Sequence, residues 1–268
     1  MTTIPSSISL DRKAAPWGGF NLTLLRIELA RRLRNRRTLI FALVMPIVMF
    51  LIFGLQFKNV ALTSTPVAQG GLSVMSYIMI SMAVYGCMIT STSAGGSVAV
   101  ERAMGWSRQL RLTPLSPAAN IATKVLGGLM LGLIAVLAVF LTGFVVGVRL
   151  DAQVWIVSGL AALGGSLVFT ALGLLMGYLI PSENVMQFMG PLVAFLALFG
   201  GLFVPLNQLG DTFVQIGKWT PTYGLSELAH APLLGATVDG WSVLNILAWL
   251  LIFSAGAALA FRRDTRRV

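Results

Sequence analysis

The chain is short of charge, short of cysteine and nearly without histidine. Of its 268 residues only 10% are Asp, Glu, Lys or Arg, against 56% hydrophobic, and the mean hydropathy is +0.85. A soluble domain carries about a quarter charged residues, so that class is excluded and an integral membrane protein is indicated. The single cysteine, Cys87, sits inside an apolar run, which rules out an intrachain disulfide and a cysteine-based metal cluster. The single histidine, His230, has only Glu227 three residues earlier as a companion, and it reads as a helix-end or surface residue instead of a metal ligand. A phosphate-binding loop is missing too. The only Gly-Lys pair, Gly217-Lys218, is followed by Trp219 where Ser or Thr is required, and Thr212 stands where the first glycine belongs. Asp151, Glu183, Asp211, Glu227 and Asp239 are scattered at the ends of apolar runs with no paired geometry. The chain is therefore expected to bind no cofactor and to be no enzyme by itself.

What is there is a series of charge-free runs. Crossing about 30 Å of hydrocarbon takes about 20 helical residues, and six runs are long enough: residues 38–57, 72–96, 125–148, 154–180, 185–204 and 241–261. They are continuously apolar, without the alternation of a membrane barrel, so an all-α polytopic fold is expected. Residues 1–20 are polar and broken by Pro5, Pro16, Gly18 and Gly19, unlike a signal peptide, which makes the first run a retained anchor. The organisation predicted is a tail over 1–19, a transmembrane domain over 20–261 and a basic tail over 262–268.

The net charge of +10 is carried at the edges of the runs, which speaks for membrane orientation and against a nucleic-acid partner. Eight Lys and Arg precede residue 38, four lie between the second and third runs and four follow residue 261. Only Lys58, Arg149 and Lys218 fall on the other side. Positive charge marks the cytoplasmic face, so both termini are expected there and the number of spans is even. In residues 20–37, "FNLTLLRIELARRLRNRR", Leu22, Leu25, Leu29 and Leu33 recur at helical spacing opposite Arg26, Arg31 and Arg34. That pattern predicts an amphipathic helix lying in the lipid interface.

The stretch "ERAMGWSRQLRLTP" over 101–114 cannot lie at bilayer depth, since its four charges would cost roughly 10–14 kcal/mol there. Trp106, Leu110 and Leu112 can face apolar surface while Arg108 and Arg111 face water, and Thr113-Pro114 with Ser116-Pro117 ends the piece. A short cytoplasmic helix between two spans is predicted. Residues 200–240 hold apolar pieces too short to span, punctuated by Pro205, Pro221 and Pro232, and they read as short re-entrant helices before the last span.

Polar side chains inside the spans face a bundle interior or a water-filled cavity. Tyr77, Ser81 and Tyr85 of the second span either bond neighbouring helices or form a transport surface with Phe188, Phe195, Phe199 and Phe203 around Pro191. Small-xxx-small patterns at Gly128/Gly132, Gly143/Gly147 and Gly173/Gly177 allow close helix contact.

This order of elements resembles the ABC type 2 permease family, membrane subunits of ATP-driven exporters, over nearly the whole chain from Phe20. The local mark is Glu101-Arg102, Gly105-Trp106, Arg108, Leu110-Arg111 and Thr113-Pro114-Leu115. The resemblance implies that 101–114 is a coupling helix receiving the stroke of an ATP-binding cassette ATPase. ATP and Mg would then sit on that separate subunit, and a second permease subunit, identical or related, would complete the assembly in the lipid of the cell inner (plasma) membrane. It also implies export of hydrophobic or amphipathic compounds such as drugs or antibiotics, with lipids or lipid-linked polysaccharides as the alternative cargo. An ATPase-independent channel or secondary carrier is the other class; a lack of buried charge in the spans speaks against it.

Overall fold

The computed structural model describes residues 21–34, 40–62, 64, 66–67, 72–105 and 116–266. Ten helices are named here: α1 (Leu22–Arg34), α2 (Ala42–Gly54), α3 (Val74–Ala103), α4 (Pro117–Val145), α5 (Ala152–Leu179), α6 (Ser182–Phe199), α7 (Leu206–Leu209), α8 (Asp211–Gly217), α9 (Tyr223–Leu234) and α10 (Gly240–Arg266). Among the described residues there is no strand, and the only β pairing is an isolated antiparallel bridge between Ala61 and Ser73.

Five helices, α3, α4, α5, α6 and α10, are long and apolar enough to cross a membrane. The run expected as the first span holds the shorter α2, in a stretch whose winding alternates from two residues before it: Ile40–Val44 and Phe50–Gly54 are π-helical around Met45–Met49. Pro46 supplies no N–H to the ladder, which is a recognised cause of such widened turns. Its ring lies against Gly86 of α3, where a Cβ would come within 3.2 Å of it.

Local chemistry sets the other ends. Ser116 caps α4, its hydroxyl accepting from the Ala119 N–H at 3.1 Å with Pro117 in the first turn. Pro181 follows the end of α5 and precedes α6, which runs through Pro191 without a break. Gly105 stops α3 in the left-handed region at φ 69°.

The bundle is built around α3. Of its apolar stretch 78% is buried, against 61% for α5, 44% for α4 and only 24% and 22% for α6 and α10, so the last two are peripheral. Glycine seats α3 on its neighbours. A Cβ on Gly95 would lie 2.3 Å from the Thr170 carbonyl oxygen and one on Gly173 2.2 Å from that of Thr92, so α3 and α5 touch backbone to backbone. On α4, Gly128 faces the Thr170 hydroxyl and Gly132 faces Ser166 and Cys87. The main apolar core runs through Phe50, Met79, Met88, Val139, Phe169 and Leu225.

Candidate functional site

At one end of the bundle, called here the basic end, α1 docks onto α3 and α4 through ions. Glu28, buried, accepts from Lys124 Nζ at 2.7 Å, from Arg32 Nη2 at 2.7 Å and from Arg31 Nη2 at 2.8 Å. Glu101, also buried, bonds both Lys124 and Arg31. Arg32 then reaches the Ala94 carbonyl at 3.0 Å and the Ser97 hydroxyl at 3.1 Å on α3. Two carboxylates and three cations on three helices therefore share one cluster.

Burial alone would raise the Glu28 pKa, but Lys124, Arg32 and Arg31 outweigh it and hold the carboxyl at about 2. The group is ionised at any physiological pH. Next to the cluster Arg102 donates to the Gly177 and Tyr178 carbonyls at 3.1 and 3.0 Å, capping the C-terminal turn of α5.

These positions revise the sequence reading. Glu101 and Arg102, expected at the start of a surface segment, belong to the last turn of α3, which runs to Ala103, past the predicted limit at residue 96. Lys124, assigned to a loop, lies inside α4. Charge is thus buried at the basic end, and the argument from its absence holds only for the middles of the spans. Gly105 is the glycine that ends α3. Trp106, Arg108, Leu110, Arg111, Thr113 and Pro114 lie outside the described residues, while Glu101 and Arg102 form the root from which that segment leaves.

Sequence reasoning missed Glu28. Its signal was a carboxylate three and four residues before two arginines, between Leu25 and Leu29 on the helix face expected to be apolar. The face of α1 turned to the bundle carries Leu25, Glu28 and Arg32, whereas Leu22 and Leu33 are exposed.

At the far end, His230 is buried in α9, which corrects its reading as a helix-end or surface residue. Its ring stacks on Tyr77 with centroids 3.9 Å apart; Nδ1 lies 2.8 Å from the Ser226 carbonyl oxygen and Nε2 3.1 Å from the Ser81 hydroxyl. Burial lowers the imidazole pKa to about 4, so the ring is neutral. Tyr77 donates its hydroxyl to the Gly201 carbonyl at 3.0 Å. A polar seam therefore ties α3 to α9 and to the turn after α6.

The residues proposed for a transport surface fall into separate places. Tyr77, Ser81 and Tyr85 are buried within the chain, and Tyr77 and Ser81 are engaged in that seam. Phe188 and Phe195 point outward from α6, each 60% exposed. Phe199 stacks on Phe213 at 6.3 Å. Tyr85 and Phe203 join the two sets, edge to face at 5.1 Å.

The fold and the ion cluster at one end of it define a multi-pass helical membrane protein whose polar machinery lies at its two ends. Residues 21–230 match the model of the ABC-2 type transporter family, and the chain belongs to that family. It is 29% identical over 228 residues to "Putative transport permease YvfS" of Bacillus subtilis (strain 168), covering 84% of this chain and 90% of the relative. It is accordingly the membrane subunit of an ABC transporter, a class that works with an ATP-binding cassette partner.

Proposed function

We propose that this chain is the permease subunit of an exporter driven by a separate ATPase, and that the ATPase docks at the basic end on residues 101–114. The observation that carries this reading is the anchoring of that segment's root. Glu101 is ion-paired to Lys124 of α4 and Arg31 of α1, and Arg102 is bonded to the end of α5. A push on the segment therefore reaches four helices at once. The same reading makes the basic end cytoplasmic, counts α2 as a sixth, irregular span in the inner membrane, and lays α1 in the lipid interface with Arg26 and Arg34 at headgroup level.

Two such permease subunits enclose the path in this proposal, and the outward side chains of α6 line it. Phe188 and Phe195 present aromatic surface, which suits hydrophobic or amphipathic cargo of the drug type. Co-purification from the native membrane is the first test, with an ATP-binding cassette subunit expected to accompany the tagged chain. R108E should then abolish cargo-stimulated ATP hydrolysis while membrane insertion is kept. Full stimulation in R108E would remove the docking assignment.

A further inference from the structure

At the far end, the start of α3, the turn from α6 into α7, and α9 enclose a cavity of about 250 Å³. Tyr77 and His230 form its floor side, with Tyr223, Asn207, Glu227 and Asp239 around it. In a chain of net charge +10, no Lys or Arg among the described residues lines this cavity, and two carboxylates do. Neither Glu227 nor Asp239 has an ion-pair partner among the described residues. His230 brings no compensating charge, since the ring is neutral.

The two acids feel each other. The Glu227 pKa is raised first by burial and then by Asp239, and the Tyr223 hydroxyl is raised by burial and by both acids. Negative potential left uncompensated in a partly desolvated space favours a cation.

We propose that this cavity is a binding site for an organic ammonium ion, with Glu227 and Asp239 as counter-charges and Tyr223 as an aromatic wall. A hard metal ion needs several convergent oxygen ligands, and among the described residues no group of three or more His, Cys, Asp or Glu is placed to hold one. Aromatic and aliphatic walls beside separated carboxylates suit a charge wrapped in methyl groups. The proposal concerns binding by the permease alone, so it stands or falls without the ATPase reading.

The test is equilibrium dialysis of radiolabelled benzyltrimethylammonium against the full chain in nanodiscs of uncharged lipid. Saturable binding is expected, weakened about tenfold by E227Q and by D239N and lost in the double variant, because each substitution removes one unit charge near the cation. Both residues are exposed at the cavity edge, and unchanged melting midpoints confirm that the variants remain folded. Absence of saturable binding to the wild-type chain overturns the proposal, as does equal binding by the double variant. Displacement by calcium chloride, where sodium chloride of equal ionic strength displaces nothing, makes the site a metal site and removes the ammonium assignment.

Discussion

Replacing Lys124 by methionine tests the ion cluster at its centre. Methionine keeps the unbranched stem and removes the ammonium that lies 2.7 Å from Glu28 and bonds Glu101. The Lys124 side chain is 3% exposed and its two partners 10% and 5%, so the pairs are buried and the small values measured at exposed ion pairs do not apply. Breaking such a pair leaves a buried carboxylate short of counter-charge at a cost of about 3–5 kcal/mol. Among the described residues Glu28 keeps Arg31 and Arg32, whereas Glu101 keeps only Arg31, so Glu101 bears most of the loss. The expected result is a fall of roughly 10 °C in the melting midpoint of purified protein in detergent, taking about 2–4 °C per kcal/mol for a chain of this size. Adding E101Q to K124M should restore part of that fall, because the orphaned charge is then gone. A K124M midpoint within about 2 °C of wild type, with no effect of the second substitution, would refute the reasoning and return the cluster to the status of a surface ion pair.

The pH dependence has a fixed sign. Glu28 is held at about 2 in the fold, below the 4.5 ordinary for a glutamate, so it stabilises the fold by about 3 kcal/mol above pH 5, a contribution lost as pH falls toward 2; melting curves of wild type and E28Q should converge in acid. G173A should destabilise by at least 1–3 kcal/mol, since its Cβ would press on the Thr92 carbonyl of a neighbouring helix, and a stable, active G173A would contradict the seam. H230A removes the stack on Tyr77 and three polar contacts and should expose the linker around α9 to protease at concentrations that spare the wild type. F195A should change the spectrum of exported compounds while L251A, also outward-facing, changes little; resistance profiles normalised to membrane expression decide this, and equal profiles would move the path elsewhere.

Much of the fold was legible because hydrophobic length and prolines are local signals. Residues 154–180 and 241–261 correspond to α5 and α10, and Tyr223–Leu234 is the short helix expected between Pro221 and the last span. Limits drawn at the first charge were too short. Glu101, Arg102 and Lys124 continue their helices because each finds an ionic or carbonyl partner across the bundle, which no window along the chain reveals. The α2 run was read as a plain span because hydropathy does not register the widened turns around Pro46. At the candidate sites, the residue types were visible and their pairings were not: His230 and Tyr77 are 153 positions apart, and Glu28 and Lys124 are 96 apart.

The glycine seam between α3 and α5 has a mechanical meaning. Side chains that interdigitate can change rotamer and let two helices slip by a fraction of a turn, but carbonyl oxygens lodged within reach of a facing Cα cannot. Gly95 and Gly173 therefore fix α3 and α5 as a single keel, and the His230–Ser81 bond clamps α9 to it. By the same criterion α10 belongs to the fixed part, since a Cβ on Gly224 of α9 would press on the Ser242 carbonyl of α10, and the lightly buried α6 is the long helix left with the most room to shift against the keel.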